Sequence, residues 1–354
     1  MSIDDIRREI DDLDAAILKL LNRRAEQAVA IGQLKDKAQG PIFDPARERQ
    51  VLDRLAAINK GPLTLEAIDE VYGAIFAISR LLEKQLTIAY YGPAGSFTHI
   101  AARRKFGATA DLRPCDAIAD VFVAVEKKEA DLGVVPIENT TAGVVPLTLD
   151  AFVESKLSIC AEIYVDIEHY LLSHATRLEE IKRVYSHPQA LPQCRIWLRA
   201  NLPGVEIIAV GSTSRAAELA AKEPEAAAVG PALAGELHGV PALRDKIHDL
   251  ADNRTRFVVI GHLAATPTGA DKTSLLFSVP HKAGALHSAL GVFSLHEINM
   301  TFIQSHPTKQ TPWEYMFFVD VQGHQADPPL SKTLEELRRE TLILRVLGSY
   351  PEAQ

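Results

Sequence analysis

Apolar positions follow three different rhythms along this chain of 354 residues. From Ile3 to about Lys37, Ile6, Ile10, Leu13, Ile17, Leu20, Leu21, Ala28, Ile31 and Leu34 recur every three or four positions with no proline among them, which predicts one long amphipathic helix. Gly40-Pro41 ends it. Asp44 as a cap and Pro45 in the first turn start a second helix over Pro45 to Ile58, and a third runs from Thr64 to about Gln85. No strand fits before residue 86. The rhythm then changes to short apolar or β-rich runs separated by helical stretches: Leu86 to Tyr91, Asp131 to Ile137, Arg183 to Ser186, Glu206 to Val210, Ala226 to Gly230 and Arg256 to His262. That is α/β organisation, and the strand-like stretch from Leu157 to Leu172 divides it into two lobes with a cleft between them. Beyond a linker over 264–270 comes a third rhythm. It predicts strand Thr273 to Val279, helix Gly284 to Leu295, strands Ile298 to Ser305 and Trp313 to Val321, helix Leu330 to Arg339 and strand Leu342 to Leu347, a βαββαβ ferredoxin-like order.

Composition narrows the function. With 46 acidic against 38 basic residues and a net charge of -8, an extended nucleic-acid surface is not expected, so basic residues that matter act locally in pockets for small anions. The N-terminal residues are charged from Asp4 and contain no signal-peptide core, and no apolar run has membrane-spanning length. Cys115, Cys160 and Cys194 are few and far apart, which suits a reducing cytoplasm and forms no zinc knuckle. His99, His169, His174, His187 and His248 could be metal ligands or bases, but of these only His169 and His174 are close in sequence, at five residues, so no metal site is expected.

On the first helix Arg24, Ala28, Ile31 and Lys35 fall on one face, because eleven residues make about three turns, and two cations therefore flank a small-residue groove. Arg7 points roughly a quarter-turn away. The second helix places Asp44, Arg47 and Glu48 at i, i+3 and i+4, and the third places Ser79 and Glu83 one turn apart. Taken singly, these are as readily solvated surface charges. Taken together, through Ile6-Arg7-Arg8-Glu9-Ile10-Asp11, Leu20-Leu21-Asn22-Arg23-Arg24-Ala25, Ile31-Gly32-Gln33-Leu34-Lys35 and Asp44-Pro45-Ala46-Arg47-Glu48, residues 1–85 resemble the all-helical chorismate mutases. The resemblance implies an intertwined dimer in which Arg24 and the partner subunit's Arg7 clamp carboxylates. Lys35 would donate to the ether oxygen, Glu48 would hold the substrate hydroxyl, and Asp44, Arg47 and Ser79 would line the pocket. Glu83 stands where many members have Gln. A Claisen rearrangement needs only a compactly held substrate and fixed donors for the charge growing on the ether oxygen, and this set supplies them.

In the central segment the run Tyr91-Gly92-Pro93-Ala94-Gly95-Ser96-Phe97-Thr98 follows a strand and opens a helix, where backbone N–H groups and hydroxyls can meet an anion. It has neither the Walker lysine nor the GxGxxG spacing, so nucleotide binding is not expected. Four more runs sit at strand ends or helix starts, where open α/β sheets bind ligands: Gly133 to Gly143, Ser186 to Cys194, Ser212 to Ala217, and Asn253-Arg254-Thr255-Arg256-Phe257. In this order over residues 86–262 they resemble the prephenate dehydratases, whose two-lobed fold is like that of periplasmic binding proteins. The resemblance implies Thr255 as the central catalytic residue, with Glu138, Asn139, Ser186, Gln193 and Arg256 around the substrate. The hydroxyls of the Ser96-Phe97-Thr98 and Ser212-Thr213 runs would bind its carboxylates, with Phe97 among the substrate-binding residues. Departure of the ring hydroxide needs a donor within ~3 Å, and the Thr255 hydroxyl can be that donor, with the ultimate proton source left open. Cys194 has no base in its local motif and is expected to pack or line the cleft rather than act as a nucleophile.

Residues 273–350 resemble an ACT domain, through Gly284-Ala285-Leu286-His287, Gln304-Ser305-His306-Pro307 and Trp313-Glu314-Tyr315. The resemblance implies L-phenylalanine sensing at Gly284, Ala285, Leu286, Gln304 and Ser305. The family usually has Val where His287 stands, and Glu and Arg where Gln304 and His306 stand, so feedback that is abolished, weakened or turned to another effector is expected, or else a purely dimerising domain.

The whole is therefore read as a multidomain chain: an all-α chorismate mutase domain (1–85), an α/β two-lobed periplasmic-binding-protein-like dehydratase domain (86–265), and an α+β ferredoxin-like ACT domain (270–354). It is expected to act on chorismate and prephenate without metal or organic cofactor, as a homodimer or dimer of dimers in the cytoplasm. Arogenate in place of prephenate is one alternative. A ligand sensor without turnover is another, although groups aimed at a breaking bond argue against it.

Overall fold

The computed structural model describes residues 2–38, 41–250, 252–307 and 315–353, so Gly40, Trp313 and Glu314 lie outside the described residues. The chain forms two compact units, Met1–Leu86 with Lys105–Asp111, and Thr87–Arg104 with Leu112–Gln354.

The first unit holds α1 (Ile3–Ala38), α2 (Pro45–Ile58) and α3 (Leu65–Glu83). The caps act as their chemistry requires: the Asp44 carboxylate accepts from the Arg47 amide at 2.9 Å, and the Thr64 hydroxyl from the Ala67 amide at 3.2 Å. α1 packs on α3 through its C-terminal part, where Ala28 is buried. A Cβ on Gly32 would lie 3.0 Å from Glu83 Cα, so glycine is what lets the two helices come this close. The N-terminal part of α1 is different. Ile6, Ile10, Leu13, Ile17 and Leu20 form the predicted stripe, yet they are 45–65% exposed.

The second unit contains three sheets. The first takes β1 (Thr87–Tyr91), β2 (Asp111–Cys115), β3 (Leu132–Asn139), β4 (Gly143–Val144), β5 (Ser158–Asp166) and, much later in the chain, β11 (Arg254–Gly261). Its order is β2-β1-β3-β11-β5, with β4 on β3; β11 runs antiparallel to both neighbours. The second takes β6 (Tyr170–Ser173), β7 (Arg183–Ser186), β8 (Glu206–Ala209), β9 (Ala226–Gly230) and β10 (Ala242–Arg244), in the order β10-β6-β9-β7-β8. Helices α4 (Phe97–Phe106), α5 (Ile118–Glu126) and α6 (Pro146–Glu154) accompany the first sheet, and α7 (Arg195–Asn201), α8 (Thr213–Ala220) and α9 (Ala232–His238) the second. The chain thus leaves the first lobe after β5, builds the second, and returns as β11. These two crossings are bonded to each other: the Ile167 amide donates to the Asn253 carbonyl at 2.7 Å and the Ile247 amide to the His169 carbonyl at 2.8 Å.

The third sheet, β12 (Asp271–Ser278), β13 (Met300–Pro307), β14 (Tyr315–Gln322) and β15 (Ile343–Pro351), is antiparallel in the order β13-β14-β12-β15, with α10 (Ala285–Leu295) and α11 (Pro328–Glu340). Leu276, Met316, Phe318, Leu347 and Tyr350 share one hydrophobic core with Ile159, Val258 and Ile260 of the first lobe. Close approach seals this join, since a Cβ on Gly348 would lie 2.1 Å from the Ile159 carbonyl oxygen.

Three strands were not predicted: β2, β4 and β10. β2 reads Asp-Leu-Arg-Pro-Cys, too polar to signal a strand, and its proline is tolerated because it lies at the sheet's edge. β11 begins at Arg254 rather than Arg256, which brings Thr255 into the ladder.

Candidate active sites

In the helical unit four of the expected residues come together in two pairs. Arg24 Nη1 donates to the Ser79 hydroxyl, which donates on to the Ile75 carbonyl at 2.7 Å. Lys35 Nζ pairs with Glu83 Oε2 at 2.8 Å. Gly32 lies one turn before Lys35 and fixes this approach. Glu48 is held elsewhere, by Arg80 Nη1 on one oxygen and by Lys105 Nζ at 3.1 Å on the other. Arg80 is 6% exposed, its guanidinium 5.7 and 5.6 Å from the rings of Phe43 and Phe106. Neither Arg80 nor Lys105 was singled out from the sequence, although Arg80 adjoins Ser79. Asp44 spends one carboxylate oxygen on its cap, and Arg47 is exposed. Arg7 is exposed beside Asp4, ~25 Å along α1 from Arg24.

In the two-lobed region Thr255, 8% exposed, pairs across the ladder with Asn139, and Asn139 Nδ2 lies 2.8 Å from Thr255 Oγ1. The Asn139 carbonyl oxygen accepts from the Thr141 amide (3.0 Å), the Thr141 hydroxyl (2.7 Å) and the Ala142 amide (2.8 Å), which fixes its amide hydrogens toward Thr255. Asn139 Nδ2 also lies 2.8 Å from Asn253 Oδ1; Asn253 Nδ2 donates to Gln193 Oε1 at 2.7 Å, and Gln193 Oε1 meets His169 Nε2 at 2.9 Å. Two of the expected residues, Asn139 and Gln193, are thus joined to Thr255. Asn253 stands in the same sequence run as Thr255, but neither it nor His169 carries a local signal for this link.

Glu138 and Arg256, expected around the substrate, face the other way. Neighbouring strand residues alternate between faces, and Arg256 pairs across the ladder with Glu138 as Thr255 does with Asn139. The Arg256 guanidinium, 4% exposed, contacts Glu162 (2.8 Å), Asp320 (2.5 Å) and the Tyr350 hydroxyl (2.8 Å). Lys272 completes a buried cluster of two cations and two carboxylates by pairing with Glu162 at 3.0 Å. Burial pushes the Glu138 carboxyl up; Arg256 and Lys272 oppose this and Asp320 adds to it.

The expected carboxylate binders sit where the lobes meet. Gly95, at φ +84, comes so near the second lobe that a Cβ would lie 3.1 Å from both Ser214 Oγ and Ala234 Cα. Beside it, Ser96 Oγ accepts from the His99 amide at 3.2 Å, Phe97 packs edge-on to His169 at 5.4 Å, and Thr98 is buried. Opposite, Ser212 Oγ caps α8 through the Arg215 amide at 3.0 Å, with Thr213 next to it. Ser186 is fully buried and donates to the His187 carbonyl at 3.3 Å. Cys194 is also fully buried, and burial pushes its thiol up to about 12, which leaves no thiolate for nucleophilic work.

In the third sheet Gly284, at φ +81, caps α10, Ala285 is buried, and Leu286 packs on the local core. Gln304 and Ser305 lie on the edge strand β13, and Gln304 Nε2 donates to the Ser305 carbonyl at 2.7 Å. His306 Nε2 meets Asp150 of α6 at 2.8 Å.

Comparison with known proteins bears on all three regions. The family description for chorismate mutase type II matches residues 6–84, that for prephenate dehydratase residues 88–265, and that for the ACT domain residues 273–339. A bifunctional chorismate mutase/prephenate dehydratase of Aquifex aeolicus is 46% identical over 99% of this chain and 98% of its own. The chain belongs to this bifunctional family. It therefore rearranges chorismate to prephenate and dehydrates and decarboxylates prephenate to phenylpyruvate, in phenylalanine biosynthesis. Among solved structures, a prephenate dehydratase from Arthrobacter aurescens in complex with L-Phe is 33% identical with a TM-score of 0.70, covering 76% of this chain and 90% of its own. A quorum-quenching acylase is 32% identical with a TM-score of 0.69, covering 75% of this chain and 98% of its own.

Proposed function

We propose that Thr255 is the hydrogen-bond donor to the departing ring hydroxyl of prephenate. The observation that carries this is the Asn139 amide, 2.8 Å from Thr255 Oγ1. With its oxygen accepting from Asn139, Thr255 has its own hydrogen available for the leaving group. As the carbon–carboxylate bond breaks, its electron pair enters the ring and the carbon–hydroxyl bond releases its pair to oxygen. With one proton taken up, prephenate gives phenylpyruvate, carbon dioxide and water. The hydroxyls of Ser96, Thr98, Ser212 and Thr213 bind the carboxylates from the two lobes, with Phe97 lining the substrate between them. Acyl transfer, the chemistry named for one structural neighbour, needs a hydroxyl beside a base. Thr255 meets an amide instead, and Ser214, whose Oγ is 3.0 Å from His238 Nε2, is only 4% exposed.

In the mutase domain Arg24 holds a carboxylate and Lys35 donates to the ether oxygen, with Ser79 and Glu83 beside them and Asp44 and Arg47 at the pocket's edge. Glu48, braced by Arg80 and Lys105, accepts from the substrate hydroxyl. The partner subunit's Arg7 completes the site in a homodimer, a reading supported by the uncovered apolar stripe on α1 and by the distance between Arg7 and Arg24 within one chain. The domains divide at 1–85, 86–265 and 270–354. The C-terminal domain senses L-phenylalanine weakly, since Gln304 and His306 replace the charged residues usual there. Three free thiols suit a cytoplasmic enzyme.

Thr255→Ala tests the central assignment. Chorismate should still be consumed and prephenate should accumulate without phenylpyruvate; release at near the wild-type rate refutes the donor.

A further inference from the structure

Thr255 ends a chain of side chains whose polarity follows step by step. Backbone amides of Thr141 and Ala142 fix the Asn139 carbonyl, so Asn139 presents Nδ2 to Asn253. Asn253 must then present its oxygen to Asn139 and its Nδ2 to Gln193, and Gln193 must present its oxygen to both Asn253 and His169. An amide oxygen can only accept, so His169 carries its hydrogen on Nε2. Its Nδ1 is buried and has no hydrogen-bond partner among the described residues. A hydrogen there would be an unsatisfied buried donor, whereas a lone pair fits the neutral ring.

The location matters as much as the polarity. His169 lies in the crossing between β5 and β6 and Asn253 in the returning crossing before β11, and Phe97 packs edge-on to the His169 ring. His169 is 2% exposed and Asn253 4%, so neither is a surface group. Gln193 belongs to the second lobe, Asn139 and Thr255 to the first. The chain therefore runs from one lobe through the hinge to the reacting hydroxyl.

We infer that His169 is a positioning residue for dehydration: by donating from Nε2 to Gln193 it holds Gln193 and Asn253, and with them the Asn253 oxygen that, together with the Thr141 and Ala142 groups on its other side, keeps the Asn139 amide on Thr255 and the Thr255 hydroxyl hydrogen aimed into the cleft. This rests on Thr255 being the donor. The imidazole moves no proton in the reaction, and the amides between it and Thr255 transmit orientation only.

Full-length enzyme assayed for phenylpyruvate release and, separately, for chorismate consumption tests it. His169→Phe keeps a ring against Phe97 and removes the donor; dehydratase kcat should fall about tenfold while KM stays within about twofold and the mutase is unchanged. His169→Gln, whose amide nitrogen reaches the Nε2 position, should recover most of that rate. Asn253→Asp removes the donor one link nearer and should show the same loss in kcat. A wild-type kcat in His169→Phe or Asn253→Asp, a loss confined to KM, or a His169→Gln as slow as His169→Phe overturns the inference. Thr255→Ala separates the two readings. A near-wild-type rate there removes both, whereas an inactive Thr255→Ala beside an unimpaired His169→Phe leaves the donor standing and removes His169 alone.

Discussion

Arg256 is the next residue after Thr255, yet its guanidinium is buried against Asp320 of the C-terminal sheet at 2.5 Å, on the face of β11 away from the Asn139 amide. Glu162 and Lys272 close the cluster, with side chains 0% and 6% exposed. Removing one member of a buried ion pair leaves its partner's charge uncompensated, which typically costs about 3–5 kcal/mol. Arg256→Met should therefore lower the unfolding midpoint in denaturant, and the folded fraction should bind prephenate with unchanged KM. An unchanged midpoint with a KM raised more than about tenfold would instead make Arg256 a carboxylate clamp.

Glu83 faces Lys35 at 2.8 Å, and on the proposed assignment this pair lies beside the ether oxygen that gains charge. Ionised, it can only accept hydrogen bonds and it occupies the Lys35 ammonium; an amide would donate and leave that ammonium free. Glu83→Gln should raise mutase activity, with a gain of up to ~2.7–4 kcal/mol of transition-state stabilisation and an unaltered dehydratase. Equal mutase activity in the wild type and in Glu83→Gln would take Glu83 out of the site.

Arg7 and Arg24 lie on one helix ~25 Å apart, too far to clamp one small substrate. Chains carrying Arg7→Ala and chains carrying Arg24→Ala should each lack mutase activity, and mixing them should restore part of it, because one of the two sites in a mixed dimer then holds both arginines. Full mutase activity in Arg7→Ala alone rejects the shared site.

His169 sets an acid limit on stability. Burial pushes its imidazole from 6.5 down to about 4; the charge of His248 adds to this and the bond to Gln193 opposes it. Between those values the unfolded chain binds a proton that the native protein does not, so stability is lost as pH falls from about 6.5 to about 4. Burial lowers His99 and His187 as well, and they contribute in the same direction. Thermal unfolding of the dehydratase domain followed across this range should fall less steeply in His169→Gln than in the wild type. Parallel curves would mean that His169 is readily protonated in the folded state.

The sequence by itself determined most of the elements and the families. Helical and strand periods are local, carried by residues two to four positions apart, which is why α2 is Pro45–Ile58 as the capping chemistry predicts and why β7 and β9 match to the residue. The motifs that hold Thr255, Lys35 and Arg24 were legible because each has a chemical reason for its residue types. Tertiary structure decided which neighbours those residues have. A strand pattern says that Thr255 and Arg256 point to opposite faces, but the face that lines the cleft is set by pairing with Asn139 and Glu138 across a ladder 116 residues long in sequence, and by the sheet that covers Arg256. For the same reason His169 and Asn253, Glu48 and Arg80, and Arg256 and Asp320 could not be paired in advance: long-range contacts come from how elements pack, and no local spacing in the chain records them.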